Sequence, residues 1–539
     1  MVLRNSFILL LYVFLGSCKN ESSKFKDDQV FRYNEHSNIS SLDPAFAKDQ
    51  PNIWGVHQLF NGLVQLNDSL KVKPDIAKSW TITEDGLTYR FVLRNDVYFH
   101  KHKLFGDRKT RKVVAKDFEY SFRRLLDEKV ASPGRWVLQH VDNFKAINDS
   151  IFKIELKQPF PPFLGLLSMK YCSVVPKEAI DFFKNDFRSN PIGTGPFQFK
   201  LWVENTKLVL RKNKKYFEKD KEGNSLPYLE AVAVTFLPDK QSEFLQFIQG
   251  NIDFMKSLDA SYKDEILATD GTLQKKYKTK VNMQKGAYLN TEYLGFYMDV
   301  ANEYPTKSRL IRKAINYGFD REKMMKFLRN NIGKPAIHGF IPKGLPSFSG
   351  MKGYTYQPEK AKQLVNDFKK STGRKEVIIT ITTNSNYLDL CEFIQRELQN
   401  IGLDVKVEVI LPSTLRQGKA NGKLPIFRAS WIADYPDAEN YLSLFYSKNF
   451  TPNGPNYTHF KNETFDSLYQ LAIKETNNVK RYKLYNKMDS IIINDAPVIP
   501  LYYDEVIRFS KKNIQGLGIN PVDLLVLKKV RKNKSLVID

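Results

Sequence analysis

Cysteine is almost missing from this chain: three in 539 residues, at positions 18, 172 and 391. That excludes a small disulfide-stapled scaffold, and with no Cys-x-x-Cys pair it excludes the common structural zinc modules. The sequence also has no Gly-x-Ser-x-Gly, no His-Glu-x-x-His and no Gly-x-x-x-x-Gly-Lys, so the usual marks of a serine hydrolase, a zinc peptidase and a phosphate-binding loop are absent. No fixed-period repeat or low-complexity tract follows residue 30, and a hydrophobic content of 42 % with 13 % aromatics argues for packed cores rather than disorder. The formal net charge is +24, but the cations are scattered and form no Arg-rich nucleic-acid motif, so they read as a lysine-rich solvated exterior and no nucleic-acid partner is expected. The densest basic run, residues 101–112, reads as a hairpin tip with Gly106 and Asp107 at the turn. A chain of this length exceeds what one core sustains, so two or three subdomains are expected.

Apolar residues run continuously only near the start. Arg4, an apolar stretch over residues 7–15, then Gly16 and Ser17 before Cys18 have the layout of a secretory signal, too short to remain as a membrane-spanning helix. Leu15-Gly16-Ser17-Cys18 resembles the bacterial lipobox, in which the signal is cut before a cysteine that carries lipid. The expectation is a signal over 1–17, lipidation at Cys18, and a polar tether over 18–28 that holds an exported protein to a membrane. Cys172 and Cys391 then remain, either as one disulfide or as two buried thiols.

Strands and helices mix along the chain. Residues 86–100 alternate with period two, whereas 115–128 switch to helical spacing that sets Phe118, Phe122, Leu125 and Leu126 on one face. A strand, a proline break and a helix are predicted over 151–169. Gly193 and Gly195, followed by strand-like residues rather than a helix, mark a structural turn and not a phosphate loop. Residues 308–329 predict two helices broken at Gly318 with Asp320 as N-cap. From 376 the pattern is strand, helix, strand, with Gly402 closing the helix, so the last third contains a βαβ unit.

Candidate chemistry concentrates in "IFRASWIADYPDAENYL", residues 426–442, where Asp434, Asp437 and Glu439 stand among Phe427, Trp431, Tyr435 and Tyr441. Asp437 and Glu439 suit turn and packing roles around Pro436. Asp434 follows a strand-like run, the place where α/β scaffolds put binding groups. A carboxylate there is costly without a cation, so either a protein Lys or Arg or a ligand amine must supply one. Asp434 and Asp437 as an acid and base pair would make a secreted hydrolase, the alternative from another functional class. His100 and His102 share a strand face in the alternating reading, but they lack a third ligand, so no metal and no cofactor is expected.

Eight fragments in this order resemble one family: "SLDPA"; "LFNGLVQLNDSLKVKPDIAKSWTITEDGLTYRFVLRNDVYFH"; "VVAKDFEYSFRRLLD"; "PIGTGPFQFKLW" with "LVLRKNKKYF"; "RLIRKAINYGFDREKM"; "QPEKAKQLV"; "ASWIADYPDAENYLSLFYS"; and "DAPVIPLYYDEVIRF". They are similar to the solute-binding proteins of ABC importers for peptides and nickel, in the oligopeptide-binding branch, over nearly the whole mature chain. The resemblance implies an α/β, two-lobed fold of the type II periplasmic-binding-protein class with an extra inserted subdomain. It implies lobe I from 29–64, 190–297 and 505–539, an inserted subdomain over 65–189, and lobe II over 298–504.

The same resemblance implies a non-enzymatic, monomeric protein facing the periplasm or the cell surface. Such a protein closes on an extended oligopeptide about a hinge and hands it to the transmembrane subunits of an ABC permease. Asp434 falls on the family's aspartate for the peptide α-ammonium, Trp431 and Ser430 on the strand and pocket wall, and Arg428 and Lys419 where cations meet the ligand's carboxylate. Tyr435 stands beside them, and Trp136 in the inserted subdomain is a candidate pocket aromatic. Two departures leave the preferred peptide length open: Ser430 replaces a common glycine, and residues 99–112 are longer and more basic than the usual hairpin. The same fold with an oligosaccharide, nickel chelate or haem as solute is the alternative within the family.

Overall fold

The computed structural model describes residues 29–259 and 262–533, so the lipobox-like segment and Cys18 lie outside the described residues. Eleven strands form the principal sheet: β1 (Val30–Asn34), β2 (Phe197–Val203), β3 (Lys207–Lys212), β4 (Ala231–Thr235), β5 (Phe254–Lys256), β6 (Val281–Phe296), β7 (Lys334–Pro335), β8 (Ile378–Thr383), β9 (Asp404–Val409), β10 (Ile426–Ile432) and β11 (Val498–Lys511). Their spatial order is β9-β8-β10-β6-β11-β5-β1-β4-β3-β2, with β7 paired to β11.

Two long strands join the halves of this sheet. The first part of β6, from Val281 to Ala287, pairs with Lys511 to Glu505 of β11, and its last part, from Thr291 to Gly295, pairs with Tyr503 to Val498. The register breaks between Ala287 and Thr291, so residues 288–290 form a waist that does not pair with β11. On one side of the waist β1 lies parallel between β4 and β5, with Phe31 and Tyr33 buried. On the other side β8 and β9 form the predicted parallel pair, joined by the helix Leu388–Gln399, and Gly402 takes the left-handed conformation (φ 91°) that turns the chain into β9.

The predicted helix pair is present. Ser308 caps Arg309–Tyr317, and Asp320 caps Arg321–Arg329 through the Glu322 and Lys323 amides. A separate antiparallel sheet orders Ala77–Ile82, Thr88–Leu93, Ile151–Leu156 and Val141–Asn148. The helix Ala115–Leu126 packs on it through Phe118 and Phe122, whose rings meet Phe152 at 6.0 and 5.5 Å. Leu126, at the edge of the predicted apolar face, stays exposed. Truncating Phe122 to Ala would cost about 3–5 kcal/mol. This sheet's core is continuous with that around β1 and β4.

Gly193 and Gly195 pack against the end of the helix Gln50–Leu59. A Cβ on Gly193 would lie 2.0 Å from the Leu59 carbonyl oxygen, and the Gly195 amide donates to that oxygen at 2.8 Å. Close backbone approach accounts for both glycines, and β2 follows them.

The basic run over 101–112 differs in detail from a simple hairpin. His102 and Lys109 pair, but a short helical turn, Lys103–Arg108, fills the tip, with Gly106 at φ 68°. Consequently His100 and His102 do not share a strand face. His100 is buried; its Nδ1 accepts from the Gly193 amide and its Nε2 donates to the Gly195 carbonyl at 3.1 Å, and burial lowers its pKa to about 4. His102 instead caps Leu104 beside Phe183. Among the described residues no three metal-capable side chains gather. Cys172 and Cys391 are free buried thiols, pushed up by burial to about 12 and about 11. No helix of the described residues is long and apolar enough to cross a membrane.

Candidate functional site

The stretch "FRASWIADY" forms β10 and the loop leaving it. Residues 426–432 ladder against β6, from Ile426 opposite Phe296 to Ile432 opposite Asn290. On its other side β10 meets β8 at one position only, Phe427 opposite Thr382. From Arg428 to Ile432 that edge has no strand partner among the described residues, and Ile432 is 49 % exposed. An open edge of this kind presents backbone donors and acceptors to another extended chain.

Asp434 stands just past the strand end. Asn440 shapes the loop: its Oδ1 accepts from the Trp431 indole at 2.9 Å and from the Asp434 amide at 3.1 Å. Leu289, in the waist of β6, accepts from the Ala433 amide at 2.8 Å and from the Tyr441 hydroxyl at 2.6 Å.

The three carboxylates of the segment have separate fates. Asp437 accepts from the Tyr485 hydroxyl at 2.7 Å and pairs with Arg481 at 3.4 Å. Glu439 is buried and accepts from the Tyr435 and Tyr469 hydroxyls; burial, outweighing those bonds, lifts its pKa to about 7. Asp434 has neither an ion pair nor a close hydrogen bond to its carboxylate among the described residues; its side chain has only a long 3.5 Å contact from Asn440 Nδ2. It is open to solvent, yet the surrounding protein desolvates it enough to raise its pKa. None of the described residues therefore supplies the cation that a carboxylate at this position calls for.

The other candidates lie in different settings. Arg428, expected to meet a ligand carboxylate, is paired with Glu292 across the strands and stacked on Tyr387, its guanidinium 3.3 Å from the ring centre. Ser430 stands opposite Glu292 in the ladder and is half-buried, as is Trp431. Lys419 lies 4.9 Å from the Tyr457 ring with no carboxylate partner among the described residues, and burial, with repulsion from Arg428 and Arg416, lowers its pKa to about 8. Tyr435 is buried rather than lining an open wall: its hydroxyl is committed to Glu439, and its ring is 6.4 Å from that of Trp136. Trp136 thus brings the second sheet's domain to the Asp434 loop.

Sequence reasoning missed Glu292, Asn440 and Asp504. Glu292 is buried, its pKa raised chiefly by burial against the pull of Arg428, and Asp504 lies 4.0 Å from Arg329. Acidic residues inside the strand patterns of β6 and β11 were the available signal for two of them.

Residues 71–453 match the family model described as "Bacterial extracellular solute-binding proteins, family 5 Middle". The chain is 25 % identical over 542 aligned positions to the dipeptide-binding protein DppE of Bacillus subtilis (strain 168), covering 95 % of this chain and 94 % of that protein. Its structure is similar to that of the ABC transporter-associated periplasmic binding protein DppA from Helicobacter pylori in complex with peptide STSA (TM-score 0.76, 27 % identity, 94 % of this chain and 98 % of that one). In fold alone it is also similar to HbpA2 from Haemophilus parasuis (TM-score 0.80, 23 % identity, 94 % and 100 % coverage).

Proposed function

Because this chain belongs to the family 5 bacterial extracellular solute-binding proteins and has their two-lobed α/β fold, we propose that it is the peptide-capturing component of an ABC importer. Asp434 carries the reading: a desolvated carboxylate at a strand end, with no cation partner among the described residues, is suited to the α-ammonium of an extended peptide. The open edge of β10 from Arg428 to Ile432 supports main-chain pairing with that peptide. Trp431, Ser430 and Trp136 serve as pocket walls, and Lys419 meets the carboxylate end. Arg428, already neutralised by Glu292, holds the strand that carries Asp434.

The dipeptide-binding name of the Bacillus relative and the peptide bound to the Helicobacter structure favour a peptide over an oligosaccharide, nickel chelate or haem. A hydrolytic role for Asp434 with Asp437 is disfavoured because Tyr485 and Arg481 occupy the Asp437 carboxylate. The protein works as a non-catalytic monomer anchored through Cys18, with lobe I over 29–64, 190–297 and 505–539, the inserted subdomain over 65–189 and lobe II over 298–504. Ligand favours the closed state because both lobes contact it, and only such differential contact shifts the balance.

The test follows thermal stability of the full chain in detergent, stripped of ligand by unfolding and refolding, with pools of two- to six-residue peptides, free or N-acetylated. A ligand at 100 times its Kd adds about 2.7 kcal/mol. Stabilisation by free but not acetylated peptides is expected; equal action of both pools overturns the ammonium contact, and no action by either overturns peptide capture.

A further inference from the structure

Away from Asp434, a cavity of about 100 Å³ opens between the helix Gln50–Leu59, the hairpin over 64–74, Ser168 and Lys170, and the C-terminal segment 516–529. A water-sized hole of about 10 Å³ shares its lining at His57, Gln65, Lys170 and Lys528. Since one water needs roughly 10–15 Å³ by this measure, the larger space holds several waters or one small ion.

Four lysines from three separate stretches line it: Lys73, Lys170, Lys528 and Lys529. Lys528 is neutralised, its ammonium donating to Glu218 and Gln65 at 2.8 Å each. The acids present are already committed: Glu218 also accepts from Gln65 and the Tyr216 hydroxyl, and Asp75 from the Asn61 side chain and the Gly62 amide. Asp68 remains at the exposed rim. Lys170 is only 9 % exposed, yet its ammonium makes no hydrogen bond and no ion pair with any described residue. His57 Nδ1 is likewise buried without a partner. A buried ammonium facing a polar cavity without an ion-pair or hydrogen-bond partner, and with only the more distant charge of Asp75 to offset it, is costly, and a bound anion relieves that cost.

We propose that this cavity is a binding site for one small tetrahedral oxyanion, phosphate or sulfate, held by Lys170 in its interior and by Lys73 and Lys529 toward its mouth. The cations come from separate stretches of the chain, and a tetrahedral ion, with oxygens pointing in four directions, can meet several of them where a planar carboxylate has only two. Burial lowers the Lys170 pKa to about 8, with Lys528 adding repulsion and Asp75 opposing both, so the lone ammonium is held at a disadvantage that an anion would remove. None of the lining residues belongs to the Asp434 site, so the inference stands apart from peptide capture.

The experiment is calorimetric titration of the full chain in detergent with millimolar inorganic phosphate at pH 7, with sulfate, acetate and chloride arms at matched ionic strength. Low concentrations keep the general stabilising action of phosphate and sulfate small. Saturable binding of phosphate or sulfate but not acetate or chloride is expected, weakened tenfold or more in Lys170→Met, with a smaller loss in Lys73→Met. Lys170→Met removes an unpaired buried charge and should melt no lower than the parent in chloride, so lost binding in it reports on the site. No saturable phosphate or sulfate heat, an equal response to acetate, or undiminished binding in a folded Lys170→Met protein would each overturn the proposal.

Discussion

Replacing Asp434 with Asn separates binding from folding in a way the structure makes quantitative. The loop around it is held by Asn440 Oδ1, which takes the Trp431 indole and the Asp434 backbone amide, and neither bond involves the carboxylate. The side chain itself contributes only the 3.5 Å contact with Asn440, so Asp434→Asn removes a desolvated charge at almost no structural cost, and the melting temperature should stay level or rise. A peptide ammonium, by contrast, loses a charged hydrogen bond worth about 1.5–3 kcal/mol, a roughly 10- to 150-fold weaker Kd. The pH dependence follows from the same group. With its pKa raised in the free protein and lowered by a bound ammonium, binding releases a proton, so affinity falls as acid protonates Asp434, beginning above the ordinary carboxylate range. In Asp434→Asn that acid-side slope should vanish. Calorimetry of both proteins with one tight free peptide from pH 4 to 8 is the assay. Equal affinity, or an unchanged pH slope in the variant, would remove Asp434 from the site.

Glu439 titrates near 7 when folded against an ordinary 4.5, so folding takes up a proton and the carboxylate's penalty is absent below pH 4.5, grows between 4.5 and 7 and is complete above 7. Chemical denaturation should therefore find Glu439→Gln more stable at pH 8 by about 1–3 kcal/mol and unchanged at pH 4, and a pH-independent difference would contradict this account. Gly193→Ala forces a methyl group into the Leu59 carbonyl and should cost about 1–3 kcal/mol or more in the same assay; a neutral variant would mean that the close approach is wrong. Cys172 and Cys391 should resist a thiol reagent in the native protein and react fully after denaturation, and reductant should leave the melting temperature unchanged.

What the sequence revealed was local. The βαβ unit, the Asp320 cap and the helix carrying Phe118 and Phe122 each depend on periodicity and caps within about 20 residues, and all appear where expected. β6 and β11 were harder to read, because each strand changes neighbours along its length and its burial pattern changes with them; β6 runs from half-exposed residues to eight consecutive buried ones. The Arg428 pair with Glu292 spans 136 residues, and the lysine cavity draws on positions 57, 73, 170 and 528. No short-range pattern marks such convergence. Asp434 is intermediate: its place at a strand end was legible, whereas the lack of a cation partner among the described residues is seen only in the folded chain.

That absence gains meaning from Leu289. It sits in the waist of β6 that does not pair with β11, where its amide donates to the Pro521 carbonyl at 2.7 Å and its carbonyl accepts from Ala433 and Tyr441, the residues flanking the Asp434 loop. Leu289 therefore ties the C-terminal segment at Pro521 to the loop that carries Asp434. On the peptide-capture proposal, a ligand whose ammonium engages Asp434 while its remainder touches Trp136 would contact two separate parts of the fold, which is the differential contact that capture by closure requires. An acidic loop in a strongly basic protein is then explained by position rather than by composition. The lysines lie mainly on the solvated exterior, whereas Asp434 stands just past the end of β10, beside Leu289, and has no cation partner among the described residues.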